Sequence, residues 1–312
     1  MLKKVLLAGV VLAFGAHVAA AKELKSIGIS LGSMGNPFFV ALSKGAEFEA
    51  KKINPNVKIT TVGYDYDLGK QNTQIDNFIA AGVDLILLNP GDPNAIEPAI
   101  KRAQAAGIIV VSVDTHAKGA NATVETNNIQ AGTIACDYLI EKMGGKGDMI
   151  IVNGPQVSSV IERVQGCKAV IAKHPGVKLL SSDQDAKGSR DGGLAVMQSL
   201  LTRFQKVDGV FAINDPTAIG AELAAKQINR TSFPITAVDG APDAETALKD
   251  AKSPQFVASA SQDPFMMARL AVQAGVKLLN GETLEHPVQL MDSKLVTRDN
   301  VGSYKGWTSD RN

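Results

Sequence analysis

Short apolar runs along the chain alternate with longer stretches in which apolar residues return every three or four positions. Ser26 to Leu31, Val57 to Val62, Leu85 to Leu88 and Ile108 to Val113 read as strands, and Pro37 to Ile53, Lys70 to Ala81 and Pro93 to Ala106 read as the helices between them. The strands are near-continuous Val/Ile/Leu rather than alternating, so both of their faces are buried. Crossover helices of about 10 to 15 residues are what parallel strands need. The pattern predicts a doubly wound α/β half.

The pattern then repeats. Val83 to Pro90 is echoed by Val207 to Asn214, and Ile108 to Asp114 by Pro234 to Asp239; Asn89 and Asp114 are 25 residues apart, as are Asn214 and Asp239, so one offset of 125 relates both pairs. Asn54 to Ile59 is matched by His174 to Leu179 at an offset of 120. Order, spacing and strand-end chemistry agree, which predicts two similar doubly wound parallel-sheet lobes.

In such sheets ligands sit outside the carboxyl ends of the strands, where strand order reverses. Asn89, Asp114, Asn214 and Asp239 all stand at strand ends, so facing lobes would point some of them into one cleft. Asp or Asn at such a place also caps the helix or turn that follows. The duplicated aspartate favours ligand binding for Asp114 and Asp239, whereas Pro90 leaves Asn89 open as a turn residue.

Charge and composition narrow the classes. Among 312 residues, 32 are Lys or Arg and 31 Asp or Glu, with no basic run longer than two, which removes the electrostatic footprint of nucleic-acid binding. The first 21 residues alter that balance: Lys3 and Lys4, an apolar run from Val5 to Ala16 and small residues up to Ala21 have the form of a secretory signal cleaved near Ala21. The apolar run is too short for a membrane span, which takes about 20 residues. Its removal leaves 30 basic and 31 acidic residues, a formal charge of −1, on an exported, soluble chain.

The two cysteines exclude a zinc ribbon or a disulfide scaffold. Cys136 and Cys167 fall on the two helices that open the second lobe, where they either close a loop of about 30 residues, worth roughly 3 to 4 kcal/mol on the entropy model, or remain buried thiols. Gly28, Gly32 and Gly35 make no dinucleotide fingerprint, and Gly144 to Gly147 lacks phosphate-loop spacing. His116, His174 and His286 lie far apart without paired-ligand spacing, so no metal and no cofactor are expected.

Gly35-Asn36-Pro37-Phe38-Phe39-Val40, Leu87-Leu88-Asn89-Pro90, Val113-Asp114, Phe211-Ala212-Ile213-Asn214-Asp215 and Val238-Asp239-Gly240-Ala241-Pro242-Asp243, taken in order, resemble the periplasmic sugar-binding proteins of the ribose-binding type. The resemblance runs from Ser26 to about Leu295. It implies a type I periplasmic binding protein, a Venus flytrap whose lobes are joined by a three-crossing hinge, with the first lobe at 22–126 plus 263–290 and the second at 127–262 plus 291–312. It also implies a monomeric periplasmic receptor that captures a small neutral sugar or polyol and hands it to a membrane ABC permease and its ATPase, with a chemoreceptor as a further partner. The tail from Thr297 to Asn312 extends past the matched region.

Ligand contacts carry over where residues match. Asn36, Phe38 and Phe39 correspond to an amide and two rings against the sugar's C–H face; Asp114, Arg163, Asn214, Asp239 and Gln262 correspond to the polar contacts. This mixture of carboxylates, amides and one guanidinium beside apolar rings suits hydroxyls, each both donor and acceptor. Phe38 and Phe39 also read as core, and Arg163 as a surface partner of Glu162 or Asp191. Three positions depart from the ribose pattern: Thr115 replaces an arginine, and Gly188 and Val238 replace aromatics, with Tyr64, Asp65 or Tyr66 as compensation. The ligand is then a pentose, a hexose, a sugar alcohol or a small cyclic polyol. A sugar-sensing regulator would need a helix-turn-helix ahead of Ser26, and a secreted sugar-processing enzyme would need Asp114 and Asp239 as acid and base.

Overall fold

The computed structural model describes residues 22–307; residues 1–21, on which the expected secretory signal falls, and the last five residues lie outside them. The first sheet is built from β1 (Ser26–Leu31), α1 (Pro37–Ile53), β2 (Lys58–Gly63), α2 (Leu68–Ala80), β3 (Leu85–Leu88), α3 (Glu97–Ala105), β4 (Ile109–Val113) and β5 (Ala122–Thr126). The pleat of β1 sends Ile27, Ile29 and Leu31 into the core beneath α1. Gly28 and Ser30 face α2 instead: a Cβ on Gly28 would overlap the Phe78 ring, and Ser30 Oγ donates to Gln74 Oε1 at 2.8 Å. β3 divides the same way, Leu85 and Leu87 to one face and Ile86 and Leu88 to the other. With both faces covered, these strands have no solvent side on which polar residues could alternate.

Side-chain caps set the helix starts. Asn36 accepts from Phe38 N at 3.0 Å with Pro37 in the first turn, and Asp67 accepts from Lys70 N at 3.0 Å. α3 begins at Glu97 rather than at Pro93 as its pattern suggested. The Asp92 carboxylate accepts from Asn94 N and Ala95 N, both at 2.8 Å, and folds residues 92–95 into a turn before the helix.

The second sheet repeats the plan with α4 (Asn128–Lys142), β6 (Gly147–Val152), α5 (Ser158–Ile171), β7 (Val177–Ser181), α6 (Arg190–Arg203), β8 (Gly209–Ala212), α7 (Asp215–Gln227), β9 (Ile235–Asp239), α8 (Pro242–Lys249) and β10 (Phe256–Ser261); α9 (Pro264–Leu279), β11 (Val288–Met291) and β12 (Leu295–Thr297) follow. The strand orders are β11-β5-β4-β3-β1-β2 and β12-β10-β9-β8-β6-β7, the same arrangement twice. β11 runs parallel to β5 and β12 antiparallel to β10. α4 follows β5 but packs on the second sheet, and α9 follows β10 but packs with α1 on the first. The chain therefore passes between the sheets after β5, after β10 and between β11 and β12.

α4 and α5 cross closely because Gly132 and Gly166 lie at the contact, where a Cβ on either would strike the facing backbone. A disulfide joins Cys136 on α4 to Cys167 on α5. The described part of the tail, up to Trp307, is packed: Arg298 donates to the carbonyls of Leu248, Asp250 and Phe256, and Trp307 is buried. Among the described residues no helix is long and apolar enough to cross a membrane.

Candidate ligand-binding cleft

Strand order reverses between β1 and β3 in one sheet and between β6 and β8 in the other, and the loops leaving these carboxyl ends meet across one pocket. From the first lobe it is lined by Asn36, Phe38, Phe39 and Asp114. From the second it is lined by Arg163, Asn214, Asp239 and Gln262. The structure thus brings all eight residues singled out from the sequence to one place.

Several of them already have structural work. Asn36 Oδ1 caps α1, leaving its amide nitrogen as the donor on the pocket wall. Asn214 caps α7 through Thr217 N at 3.1 Å and donates to Gly188 O at 3.0 Å, so most of its hydrogen-bonding capacity is spent on shaping the wall. Phe38 and Phe39 pack edge-to-face at 5.4 Å; they belong to the first lobe's core and to the pocket lining at once.

The two aspartates are positioned alike. Asp114 follows β4 at φ 68° and Asp239 ends β9 at φ 138°, backbone that most L residues avoid and that Asp tolerates better than most. Asp114 Oδ2 accepts from Asn89 Nδ2 at 2.9 Å, and the same amide reaches Thr115 Oγ1 at 2.9 Å. Asn89 is therefore the group that orients Asp114, not simply a turn residue before Pro90.

Arg163 is buried in the pocket rather than paired with Glu162 or Asp191 on the surface. Its Nε donates to Asn128 Oδ1 at 2.9 Å and its Nη1 to Ile213 O at 3.0 Å, with Asp239 Oδ1 at 3.6 Å. Gln262 Nε2 donates to Asp239 Oδ1 at 2.7 Å, and Gln262 Oε1 accepts from Thr126 Oγ1 at 2.7 Å. Asn128 Nδ2 closes the ring by donating to Thr126 O at 2.9 Å. A closed polar circuit thus links the first two interlobe crossings to the Asp239 carboxylate.

Burial dominates the electrostatics. It pushes Asp114 up to about 7, with Arg163 pulling it down, Asp239 adding to the rise and the Asn89 bond opposing it. Asp239 is pushed up to about 6 by burial, restrained by Arg163 and by the bond from Gln262. Behind it, burial and Asp239 raise Asp215 well above the usual carboxylate range, although Ser259 Oγ at 2.6 Å and Ala241 N at 2.8 Å donate to it. One guanidinium thus faces two buried carboxylates that are short of donors, an arrangement that suits hydroxyl groups better than an anion.

Of the three residues offered as compensation for missing aromatics, Tyr66 lines the pocket, at φ 61° and edge-on to Tyr64 at 5.9 Å. Tyr64 is wholly buried behind it and Asp65 is exposed, paired with Lys70 at 2.6 Å. Gly188 is also on the wall, whereas Val238 is in the core. The apolar groups Val157, Val160 and Ile213 complete the lining. Nothing in their sequence context distinguishes them from core residues.

The sequence matches the family of periplasmic binding protein domains over residues 27–283. The chain belongs to that family. Its two lobes have the type I periplasmic binding protein fold. Among its relatives, the ribose import binding protein of Bacillus subtilis is 33% identical over 280 residues, which span 88% of this chain and 89% of that one. A solute-binding protein of an ABC transporter from Mycobacterium smegmatis, solved with bound glycerol, superposes with a TM-score of 0.83 at 29% identity, covering 90% of this chain and 97% of that one. Another from Bacillus halodurans, solved with bound myo-inositol, gives 0.82 at 26% identity over 90% and 97%. These relatives are binding proteins rather than enzymes.

Proposed function

We propose that this protein is the periplasmic solute-binding component of an ABC importer, taking a neutral sugar or sugar alcohol between its lobes. The observation that carries this reading is the placement of Asp114 and Asp239, one from each lobe, at equivalent strand ends in one pocket with Arg163 and the Phe38–Phe39 pair. A ligand whose hydroxyls reach both carboxylates binds the closed arrangement more tightly than an open one and draws the lobes together, the signal a permease and its ATPase would read. Hydrogen bonds to charged groups contribute about 1.5 to 3 kcal/mol each, so three or four bring micromolar affinity, about −8 kcal/mol, after ordering costs.

Thr115 and Gly188 argue against ribose as the preferred ligand. Thr115 is turned away to Asn89 and Pro90 O, and Gly188 offers no ring, so the second lobe holds its ligand with fewer aromatic contacts. Tyr66 supplies a ring from the first lobe. Reduced or cyclic polyols and unphosphorylated pentoses and hexoses fit this lining. The test is a thermal-unfolding panel of these compounds: a true ligand at a thousandfold excess over Kd stabilises by about 4 kcal/mol. If no sugar or polyol shifts the midpoint, the ligand class is wrong.

A further inference from the structure

A second cluster joins the lobes beside the pocket. His116 stands in the loop after β4, Glu125 on β5, and Glu162 on α5 of the facing lobe. His116 Nδ1 lies 3.2 and 3.3 Å from the two oxygens of Glu125 and 3.7 Å from Glu162 Oε1, and one ligand atom from each residue fits within a 4.8 Å group. We propose that His116, Glu125 and Glu162 form a bridging site for a divalent transition metal of the zinc class, assembled only when the lobes are together.

The spacing is looser than that of a tight ion pair and leaves room for an ion. A charge-assisted N–H···O⁻ bond settles at about 2.7–2.9 Å. A tetrahedral zinc ion with ligands at about 2.0–2.1 Å holds its donor atoms about 3.3–3.4 Å apart, close to the 3.2 and 3.3 Å from His116 Nδ1 to Glu125, while Glu162 at 3.7 Å would move in to complete the set. The surroundings of Glu125 are a second, independent indication. Its side chain is 5% exposed, and among the described residues His116 is its one hydrogen-bond partner. Among the described residues no lysine, arginine or backbone N–H hydrogen-bonds to it, and the charges that act on it are the acidic Glu162 and Asp114. With an ion bound, both carboxyls give up their protons and the imidazole coordinates unprotonated, so the set would balance a divalent charge.

The donor set also selects the metal. One imidazole and two carboxylates suit zinc and its borderline neighbours, whereas calcium takes six to eight oxygens. His116 and Glu162 are 41% and 24% exposed, so the open side admits the ion and a water ligand. The His116 backbone N–H donates to Ser158 Oγ at 2.9 Å, fixing this loop against the start of α5. Opening the lobes would carry Glu162 away from His116 and Glu125, so the ion binds the closed form preferentially.

The test uses the chelator-stripped mature protein with zinc chloride and no sugar, so its outcome is independent of the sugar reading. Calorimetry is expected to give one zinc per chain at micromolar affinity or tighter, weakened at least tenfold in Glu125→Gln and in Glu162→Gln. His286→Ala, which removes an exposed histidine 3.9 Å from Glu285, is expected to change nothing. Small-angle scattering of the wild type is expected to show a smaller radius of gyration with zinc, and no change in Glu162→Gln. Equal melting temperatures of wild type and Glu162→Gln in chelator are expected to show an intact fold. Absence of stoichiometric binding, binding retained in Glu162→Gln, or loss only in His286→Ala would overturn the proposal.

Discussion

Replacing Asp114 with asparagine isolates the charge that the pocket account depends on. The backbone there has φ 68°, which Asn accepts readily, and the Asn side chain keeps an oxygen for the 2.9 Å bond from Asn89 Nδ2. At pH 8, above the value of about 7 to which burial lifts Asp114, the change thus removes a buried charge and little else. A hydroxyl bonded to the carboxylate contributes about 1.5–3 kcal/mol, and one bonded to a neutral amide about 0.5–1.5. Asp114→Asn should then weaken the ligand by about 1–2 kcal/mol, roughly 5- to 30-fold. Asp114→Ala, which removes the acceptor altogether, should cost about 1.5–3 kcal/mol per bond lost, at least roughly 13-fold. The sugar-free Asn variant should unfold no earlier than the wild type, because desolvating that carboxylate opposed folding. Titration calorimetry with the best compound of the panel gives the affinities, and thermal unfolding gives the stability. Affinity within twofold of wild type in both variants would refute the role of Asp114; a large loss of stability in Asp114→Asn would show that the carboxylate is structural.

Three further outcomes follow from the same geometry. Asp239, facing Arg163, Gln262, Asp215, Asp114 and Tyr66, holds its proton up to about pH 6 instead of the usual 3.8. Its contribution to sugar-free stability is therefore full below about pH 4 and lost as pH rises through 6, while ligand hydroxyls favour the ionised form. Ligand affinity should then fall as pH drops from 7.5 to 5, and a flat calorimetric profile would contradict this. Reducing the Cys136–Cys167 bond, 31 residues apart in sequence, should lower unfolding free energy by about 3–4 kcal/mol in denaturant titrations. It should leave affinity unchanged, since neither cysteine lines the pocket. Trp307→Ala removes a ring packed on Phe38 at 5.8 Å and a bond to Gln262 O at 3.0 Å. Stability should fall by about 3 kcal/mol and affinity with it, and an unchanged melting temperature would place the tail outside the account.

The repeat was the most legible part of the sequence. Hydrophobic runs with no polar alternation report strands covered on both faces, and the offset of 125 residues placed Asp114 and Asp239 at equivalent strand ends before any contact was visible. What the sequence obscured was local or long-range. Asn89 looked like a turn residue because Pro90 follows it, and only the β3–β4 pairing shows its amide holding Asp114. The α3 start was misplaced because the Asp92 turn competes with helix formation over residues that also suit a helix. Trp307 lies 45 residues beyond Gln262 in an aperiodic tail, so no pattern could have shown that it braces the pocket residue. The His116, Glu125 and Glu162 cluster was invisible for the same reason: its members come from two lobes and share no ligand spacing.

On the proposed function one ligand bridges carboxylates from both lobes. A crystal structure with the best-stabilising compound of the panel tests it directly. The expected result is a single molecule between the lobes, with hydroxyls within hydrogen-bond distance of both Asp114 and Asp239 and its carbon face against Phe38 or Phe39. A ligand seated elsewhere, or held by one lobe alone, would contradict it.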